Sequence, residues 1–233
     1  MCGAKKVHLF IFMQTFIVIP AYNEENRISQ VIEQLLDFDY KIVIVDDNSQ
    51  DKTSEIIKKY PVFHAKHSAN LGQGAALRTG TEIALQNNAD IIVHFDADGQ
   101  HRVDDLENII QTLKKTNLDL VLGSRFMEIE SEIPKKKQII LSLAKFFTNK
   151  LLKLNFTDPQ SGLRGFKSHV FKKINWQNDD YMHCTEILGL IKKNKVHYQE
   201  IPIKINYNEH SVSKKVKPRM SMGLKILFYK LFY

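Results

Sequence analysis

The chain has 233 residues, 43% hydrophobic and 25% charged, with a net charge of +7 and a pI near 9.2. Those values suit one α/β domain with appendages better than two full domains. The two cysteines, Cys2 and Cys184, build neither a disulfide framework nor a Cys-x-x-Cys pair, which fits a reducing cytoplasm.

Residues 1–14 read as a loose extension. The apolar run from Leu9 to Pro20 includes Gln14 and Thr15 and is too short to span a bilayer. It flows into a strand with no small-residue cleavage site, although Lys5 and Lys6 give it a signal-like start. Strands are expected at Thr15–Pro20, Lys41–Val45, Val62–Lys66, Ile91–Phe95 and Leu118–Leu122. Helices are expected between them, at Glu25–Leu36, Thr53–Tyr60, Gln73–Gln86 and Val103–Lys114. In the first helix Ile28, Val31, Ile32, Leu35 and Leu36 recur at helical spacing. Short apolar strands alternating with amphipathic helices imply a parallel sheet covered on both faces.

After Arg125 the pattern changes. Residues Gln138–Leu154 and Tyr181–Lys193 read as helices, and Gly162–Phe166 as a short mixed run. Val196–Tyr207 alternates, and Pro202 marks it as an edge or a bulge. These late elements are expected to pack onto the first part. Lysines gather late, at 135–137, 192–193, 195, 214–215 and 217, which suits either a solvated face or an anionic surface. No nucleic-acid module is present. The amphipathic tail, 216–233, suits a membrane surface, a cap on the core or a homodimer contact.

In an open parallel sheet, ligands bind beyond the carboxyl ends of the strands. Polar clusters fall at those ends: Asn23-Glu24-Glu25, Asp46-Asp47-Asn48-Ser49 and Asp96-Ala97-Asp98. Asp96 and Asp98 are two apart, so in extended chain they point the same way. Such a pair holds a hard cation shared with substrate phosphates; a polar turn is the plain alternative. Asn23 and Asp51 or Ser49 suit helix caps. Asp46 and Asp47 exceed what capping needs and suit a base or ribose. Gly72 and Gly74 open a helix, where small residues allow either close approach of an anion or tight packing on the sheet. They form neither a dinucleotide fingerprint nor a P-loop.

Ile19-Pro20-Ala21-Tyr22-Asn23-Glu24-Glu25, Val45-Asp46-Asp47-Asn48-Ser49-x-Asp51-x-Thr53, Asn70-x-Gly72-x-Gly74-x-Ala76 and Asp96-Ala97-Asp98-Gly99-Gln100-His101 stand in one order. That ordered set resembles family 2 glycosyltransferases of the GT-A fold, above all polyprenyl-phosphate and dolichyl-phosphate mannosyl- and glucosyltransferases. The resemblance runs from about Thr15 to Lys215. It implies a Rossmann-like, mostly parallel sheet flanked by helices, with a smaller C-terminal acceptor-side section. One domain over 15–215 is expected, with a nucleotide-binding half at about 15–125 and an acceptor half at about 126–215.

The resemblance also implies roles. Pro20, Tyr22, Glu24, Asp46, Asp47, Gly72 and Gly74 would bind a UDP- or GDP-linked sugar. Asp96, Asp98 and Gln100 would hold Mg²⁺ or Mn²⁺. Arg125, in Gly123-Ser124-Arg125-Phe126, would face phosphate. Ser161 and Arg164, within Asp158–Phe166, would lie on the acceptor side with His210 and Lys214. Glu186 would serve as general base if the acceptor were a sugar hydroxyl; a lipid phosphate would need none. The family's phosphate-lipid enzymes usually carry an arginine and then Gly-x-Ser-Lys after the late strand. This chain has Asn208-Glu209-His210-Ser211-Val212-Ser213-Lys214-Lys215, so a glycan hydroxyl stays open as acceptor. The expected activity is metal-dependent, inverting sugar transfer at the cytoplasmic face of a membrane. A nucleotidyltransferase is disfavoured, because Pro20–Glu25 holds neither glycine nor lysine. A non-catalytic nucleotide-binding protein and a lipid-surface module are the remaining rivals.

Overall fold

The computed structural model describes residues 13–127, 146, 149–150 and 155–205. In chain order the elements are β1 (Thr15–Ala21), α1 (Ile28–Leu36), β2 (Lys41–Asp46), α2 (Thr53–Ile57) and β3 (Phe63–Lys66). Then come α3 (Gln73–Gln86), β4 (Ile91–His94), α4 (Val103–Lys115) and β5 (Leu120–Ser124). The later elements are β6 (Arg164–Lys167), α5 (Phe171–Ile174), α6 (His183–Lys193) and β7 (Tyr198–Pro202). They build one seven-stranded sheet, ordered β3-β2-β1-β4-β6-β5-β7. Only β6 runs antiparallel to its neighbours, β4 and β5.

Strand residues alternate between two apolar layers. Phe16, Val18, Val43, Val45 and Ile92 pack with Ala76, Leu77 and Ala84 of α3 and with Trp176, Ile187 and Ile191. Ile17, Ile19, Ile42, Ile44, Ile91 and Val93 pack with α1, Ile57 of α2 and Leu106, Ile109 and Leu113 of α4. Both faces are covered, as near-continuous Val/Ile strands require. Each such side chain contributes roughly 1.5–3 kcal/mol by leaving water.

Several boundaries move from expectation for identifiable reasons. The first helix starts at Ile28 rather than Glu25, because Asn23 is left-handed (φ 54°) and the Glu24 carbonyl already accepts from Arg27 and Ile28. Asn23 does not cap it; its side-chain oxygen accepts from Gln50 N at 2.8 Å. α2 ends at Ile57 instead of Tyr60. β5 lies two residues later than expected, since Gly123 and Ser124 pair with Ile201 and Pro202 of edge strand β7. Pro202 closes that edge strand, a position proline tolerates. Of the helix expected at Gln138–Leu154, only Phe146, Asn149 and Lys150 are described, and they are helical. Residues 1–12, His210, Lys214 and the tail fall outside the described residues.

Helix α3 lies close on β1 and β2 because Gly80 faces them. A Cβ there would stand 2.4 Å from Val18 Cγ1 and 3.2 Å from Val45 Cγ2. Alanine gains about 1 kcal/mol of helix propensity, whereas forcing bulk into a packed core costs about 1–3 kcal/mol. Gly80→Ala is therefore expected to lower the unfolding free energy by up to about 2 kcal/mol in urea denaturation. Equal or greater stability would mean that the helix shifts without cost.

Candidate functional site

The chain steps outward from β1 to β2 and β3, then returns through α3 to β4 on the other side of β1. The strand ends at that reversal leave a crevice. A cleft of about 330 Å³ opens there, lined by Pro20, Tyr22, Glu24, Asp47, Asn70, Gly72, Gln73, Asp96 and Asp98 among others. That volume is within the usual range for small-molecule sites.

At one end, the loops after β1 and β2 hold each other. Asn23 N donates to Ser49 Oγ at 3.0 Å, and Glu24 N donates to Thr53 Oγ1 at 2.8 Å. Asp51 accepts from Thr53 N and Glu25 N. Tyr22 stands 46% exposed over the cleft, while Glu24 pairs with Arg27 at 2.9 Å. Asp47 is buried and takes Leu71 N at 2.9 Å, Gly72 N at 2.7 Å and His67 Nδ1 at 2.7 Å. The carboxylate thus pins the loop between β3 and α3 against the cleft. Asp46 is different. It is fully buried and outside the lining, with Oδ1 on Ser49 N at 2.7 Å and Lys66 3.5 Å from Oδ2. Burial raises its pKa, but hydrogen bonds from Ser49 and Ser54 and the Lys66 charge bring it below the usual value.

Gly72 and Gly74 open α3, and the reason lies in packing. A Cβ at Gly72 would be 2.4 Å from the Asp179 carbonyl, and one at Gly74 would be 2.3 Å from the Asn178 carbonyl. Gly72 also needs its φ of 108°. Gly72 lines the cleft, whereas Gly74 is buried beneath the 178–179 loop.

The other end of the cleft carries Asp96 and Asp98. The Asp96 side chain is 27% exposed and takes Gln73 Nε2 at 3.0 Å and His101 Nε2 at 3.2 Å. Burial alone would raise its pKa; the His101 hydrogen bond and charge, with Arg164 behind, hold it low. Asp98 takes Gln100 Nε2 at 2.6 Å and Gln100 N at 3.1 Å, so two of the three expected metal residues touch, while Asp96 shares the cleft lining with Asp98. Two carboxylates and an amide oxygen form a hard donor set that fits Mg²⁺ or Mn²⁺ when a diphosphate supplies further oxygens. Among the described residues, no group of three His, Cys, Asp or Glu side chains forms a closed metal cage.

β6 carries in the segment expected on the acceptor side. Because it runs antiparallel to β4, with Arg164 opposite His94, residues 158–163 arrive beside Asp96. The contact is tight: a Cβ on Gly162 would meet Asp96 Oδ2 at 2.5 Å. Ser161 is buried there, its hydroxyl without a hydrogen-bond partner. Arg164 is 1% exposed and donates to the Gly162 carbonyl, to Cys184 Sγ at 3.1 Å and toward His183 Nε2 at 3.4 Å. Burial would raise the Cys184 thiol, but the charges and hydrogen bonds of His183 and Arg164 lower it to about 6. Burial, then the Arg164 charge, pushes His94 well down and keeps it neutral.

Two expected catalytic residues are occupied elsewhere. Arg125 forms a fork on Asp158, Nε to Oδ2 at 2.6 Å and an Nη to Oδ1 at 2.7 Å, and lies outside the cleft lining. Glu186 is buried and accepts from Gln177 N at 3.0 Å, Asn178 N at 2.9 Å and the Asn178 amide. The loop it holds also docks on α3: Ala75 N donates to the Asp179 carbonyl and Trp176 Nε1 to the Gly74 carbonyl. Sequence reasoning missed Gln73, His67, His101 and Asp158 as partners. Gln73 and His101 lie inside the ordered motifs and Asp158 opens the 158–166 segment, so only His67 stood outside every stretch singled out.

The Asp158 carboxylate is 1% exposed and Arg125 13%. Removing one partner of such a pair leaves a buried charge and costs about 3–5 kcal/mol. Arg125→Ala is expected to lose about that much in chemical denaturation, and Arg125→Ala with Asp158→Asn distinctly less. A loss below about 1 kcal/mol for the single variant would show the fork to be a surface pair.

The glycosyl transferase family 2 model matches residues 16–175. An uncharacterised protein of Methanocaldococcus jannaschii is 39% identical over 92% of this chain and 90% of its own length. A UDP-N-acetylglucosamine–dolichyl-phosphate N-acetylglucosaminyltransferase of Methanococcus voltae is 36% identical, covering 93% and 94%. Among solved structures, glucosyl-3-phosphoglycerate synthase of Mycobacterium tuberculosis, crystallised with Mn²⁺ and UDP, superposes with a TM-score of 0.68. That match spans 94% of this chain and 80% of the other at 16% identity, a likeness of GT-A fold. With the ordered motifs at one cleft and the family model over most of its length, the chain belongs to the family 2 glycosyltransferases.

Proposed function

We propose that this glycosyltransferase moves a sugar from a UDP-linked donor to a polyprenyl-phosphate acceptor, with inversion. The observation that carries the reading is the cleft itself: Tyr22 and Asp47 at one end, Asp96 and Asp98 at the other, across the β1–β4 reversal. The base and ribose would lie toward Tyr22 and Asp47, the diphosphate toward the paired acids. The Methanococcus voltae relative, whose printed name joins UDP-N-acetylglucosamine to dolichyl phosphate, supports both partners.

Asp96, Asp98 and Gln100 would hold the divalent ion. Bound there, it supplies Lewis-acid neutralisation of charge on the departing diphosphate. The chain's own groups do the rest. Gln73, at the start of α3, orients Asp96 through its carboxamide, and His101 holds the other oxygen. Gly162 seals the far side of Asp96 so closely that water has no room between them. Ser161 and Arg164 would define the acceptor side, and the acceptor would attack the anomeric carbon from the face opposite the diphosphate.

Glu186 favours a phosphate over a sugar hydroxyl as acceptor. Its carboxylate is spent on three donors of the 177–178 loop. A lipid phosphate is already anionic and needs no base. No helix among the described residues is long and apolar enough to cross a membrane. Work at the cytoplasmic membrane face, with contact through the tail, belongs to the same proposal, as does the division into donor and acceptor halves near residue 125.

Purified protein with labelled UDP-sugars, Mn²⁺ and a polyprenyl phosphate tests the reading. Asp96→Asn and Asp98→Asn are each expected to cut kcat by about a hundredfold or more while leaving the thermal transition in place. Full activity in the double variant, or transfer only to glycan hydroxyls, would overturn it. For Glu186→Gln the anchoring role predicts a raised KM for the donor and an unchanged pH profile of kcat. Loss of an acid limb from that profile would instead identify a general base.

A further inference from the structure

The Asp47 end of the cleft is fixed through His67, which lies in none of the ordered sequence motifs. His67 follows β3, and its Nδ1 lies 2.7 Å from Asp47 Oδ1. Its Nε2 lies 3.0 Å from Thr79 Oγ1 on α3. In either protonation state Nδ1 bears the proton given to Asp47, and Thr79 fixes the ring by meeting the other nitrogen. Leu71 N also donates to Oδ1, at 2.9 Å, and Gly72 N donates to Oδ2, at 2.7 Å.

A carboxylate offers about four acceptor sites, two on each oxygen. Oδ1 is filled by His67 and Leu71. Oδ2 has one site filled, by Gly72, and one left for a ligand. The chemistry of the bases then decides. The Watson–Crick edge of guanine presents two adjacent N–H donors, which a carboxylate meets with both oxygens. The edge of uracil presents one imino N–H between two carbonyls, which a single acceptor satisfies. A guanine placed here would leave one donor buried without a partner, and an unmet buried donor is costly.

Resting on the proposed donor site, we propose that His67 is a specificity-determining positioning residue: by filling Asp47 Oδ1 it leaves one acceptor for the base and selects a uracil nucleotide over a guanine nucleotide. Thr79 is the second member of the device, because it prevents the ring from turning away.

Isothermal titration of the full chain with UDP and with GDP, each with Mn²⁺, tests this without any acceptor. The wild type is expected to bind UDP at least about tenfold more tightly than GDP, the worth of one lost hydrogen bond. His67→Ala frees the Oδ1 site and loosens the loop, so UDP binding weakens and the preference falls to about threefold or less. His67→Asn places an amide nitrogen where Nδ1 stood and is expected to restore the preference. Thr79→Val keeps the ring but not its anchor and is expected to fall between. Circular dichroism of each variant separates these effects from unfolding. Wild-type preference for GDP, or an unchanged ratio in folded His67→Ala, overturns the inference while leaving the transferase reading intact. Wild-type protein that binds neither nucleotide sinks the donor-site reading itself.

Discussion

A carboxylate withdrawn from water must be met by donors, and at this sheet edge that requirement folds the loops. Asp46 takes the Ser49 amide; Asp47 gathers the amides of Leu71 and Gly72; Glu186 gathers those of Gln177 and Asn178. Asp158 closes on the Arg125 fork, and Glu200 of β7 accepts from Thr157 and Asp158. Each acid spends its lone pairs on a segment with no regular structure of its own. Together they tie down the connections beyond β2, β3 and β5 and the 157–158 and 177–178 segments. Asp96 is the exception, because its donors are side chains at 3.0 and 3.2 Å with no backbone amide among them.

Much of this was legible in the chain. Alternating apolar runs and amphipathic helices prescribe a sheet covered on both faces, and the first four parallel strands lie within a residue or two of where that pattern places them. The polar clusters at strand ends mark the cleft, since a parallel sheet has its crevice there. The direction and pairing of β6 were not legible. Arg164–Lys167 is four residues long, and its short mixed pattern carries no sign of direction. Its partners, β4 and β5, are about 70 and 40 residues away by sequence, so pairing depends on closure of the whole sheet.

The roles of the acids were legible only in part. A strand-end aspartate looks the same in sequence whether its donors come from a ligand or from a neighbouring loop. Asp46 and Asp47 are adjacent, yet one is sealed beside Ser49 and Lys66 while the other lines the cleft. The alternation of side chains along a strand separates them, but only once the strand's faces are known. Gly72 and Gly74 have the same ambiguity. Small residues at a helix start suit an anion or a packed loop, and here carbonyls of Asn178 and Asp179, a hundred residues downstream, occupy the space.

β6 sits between β4 and β5, and its first residue lies opposite the last residue of β4. The segment expected to meet the acceptor is therefore stitched into the strands that carry the paired acids. Recombining this chain with a relative at a junction near residue 125 would import a foreign β6 into a native β4–β5 slot, with a new side chain against His94 and a new neighbour for Asp96. On the proposed reading, acceptor preference would be no detachable cassette; it would be inherited together with the proposed seat of the cation.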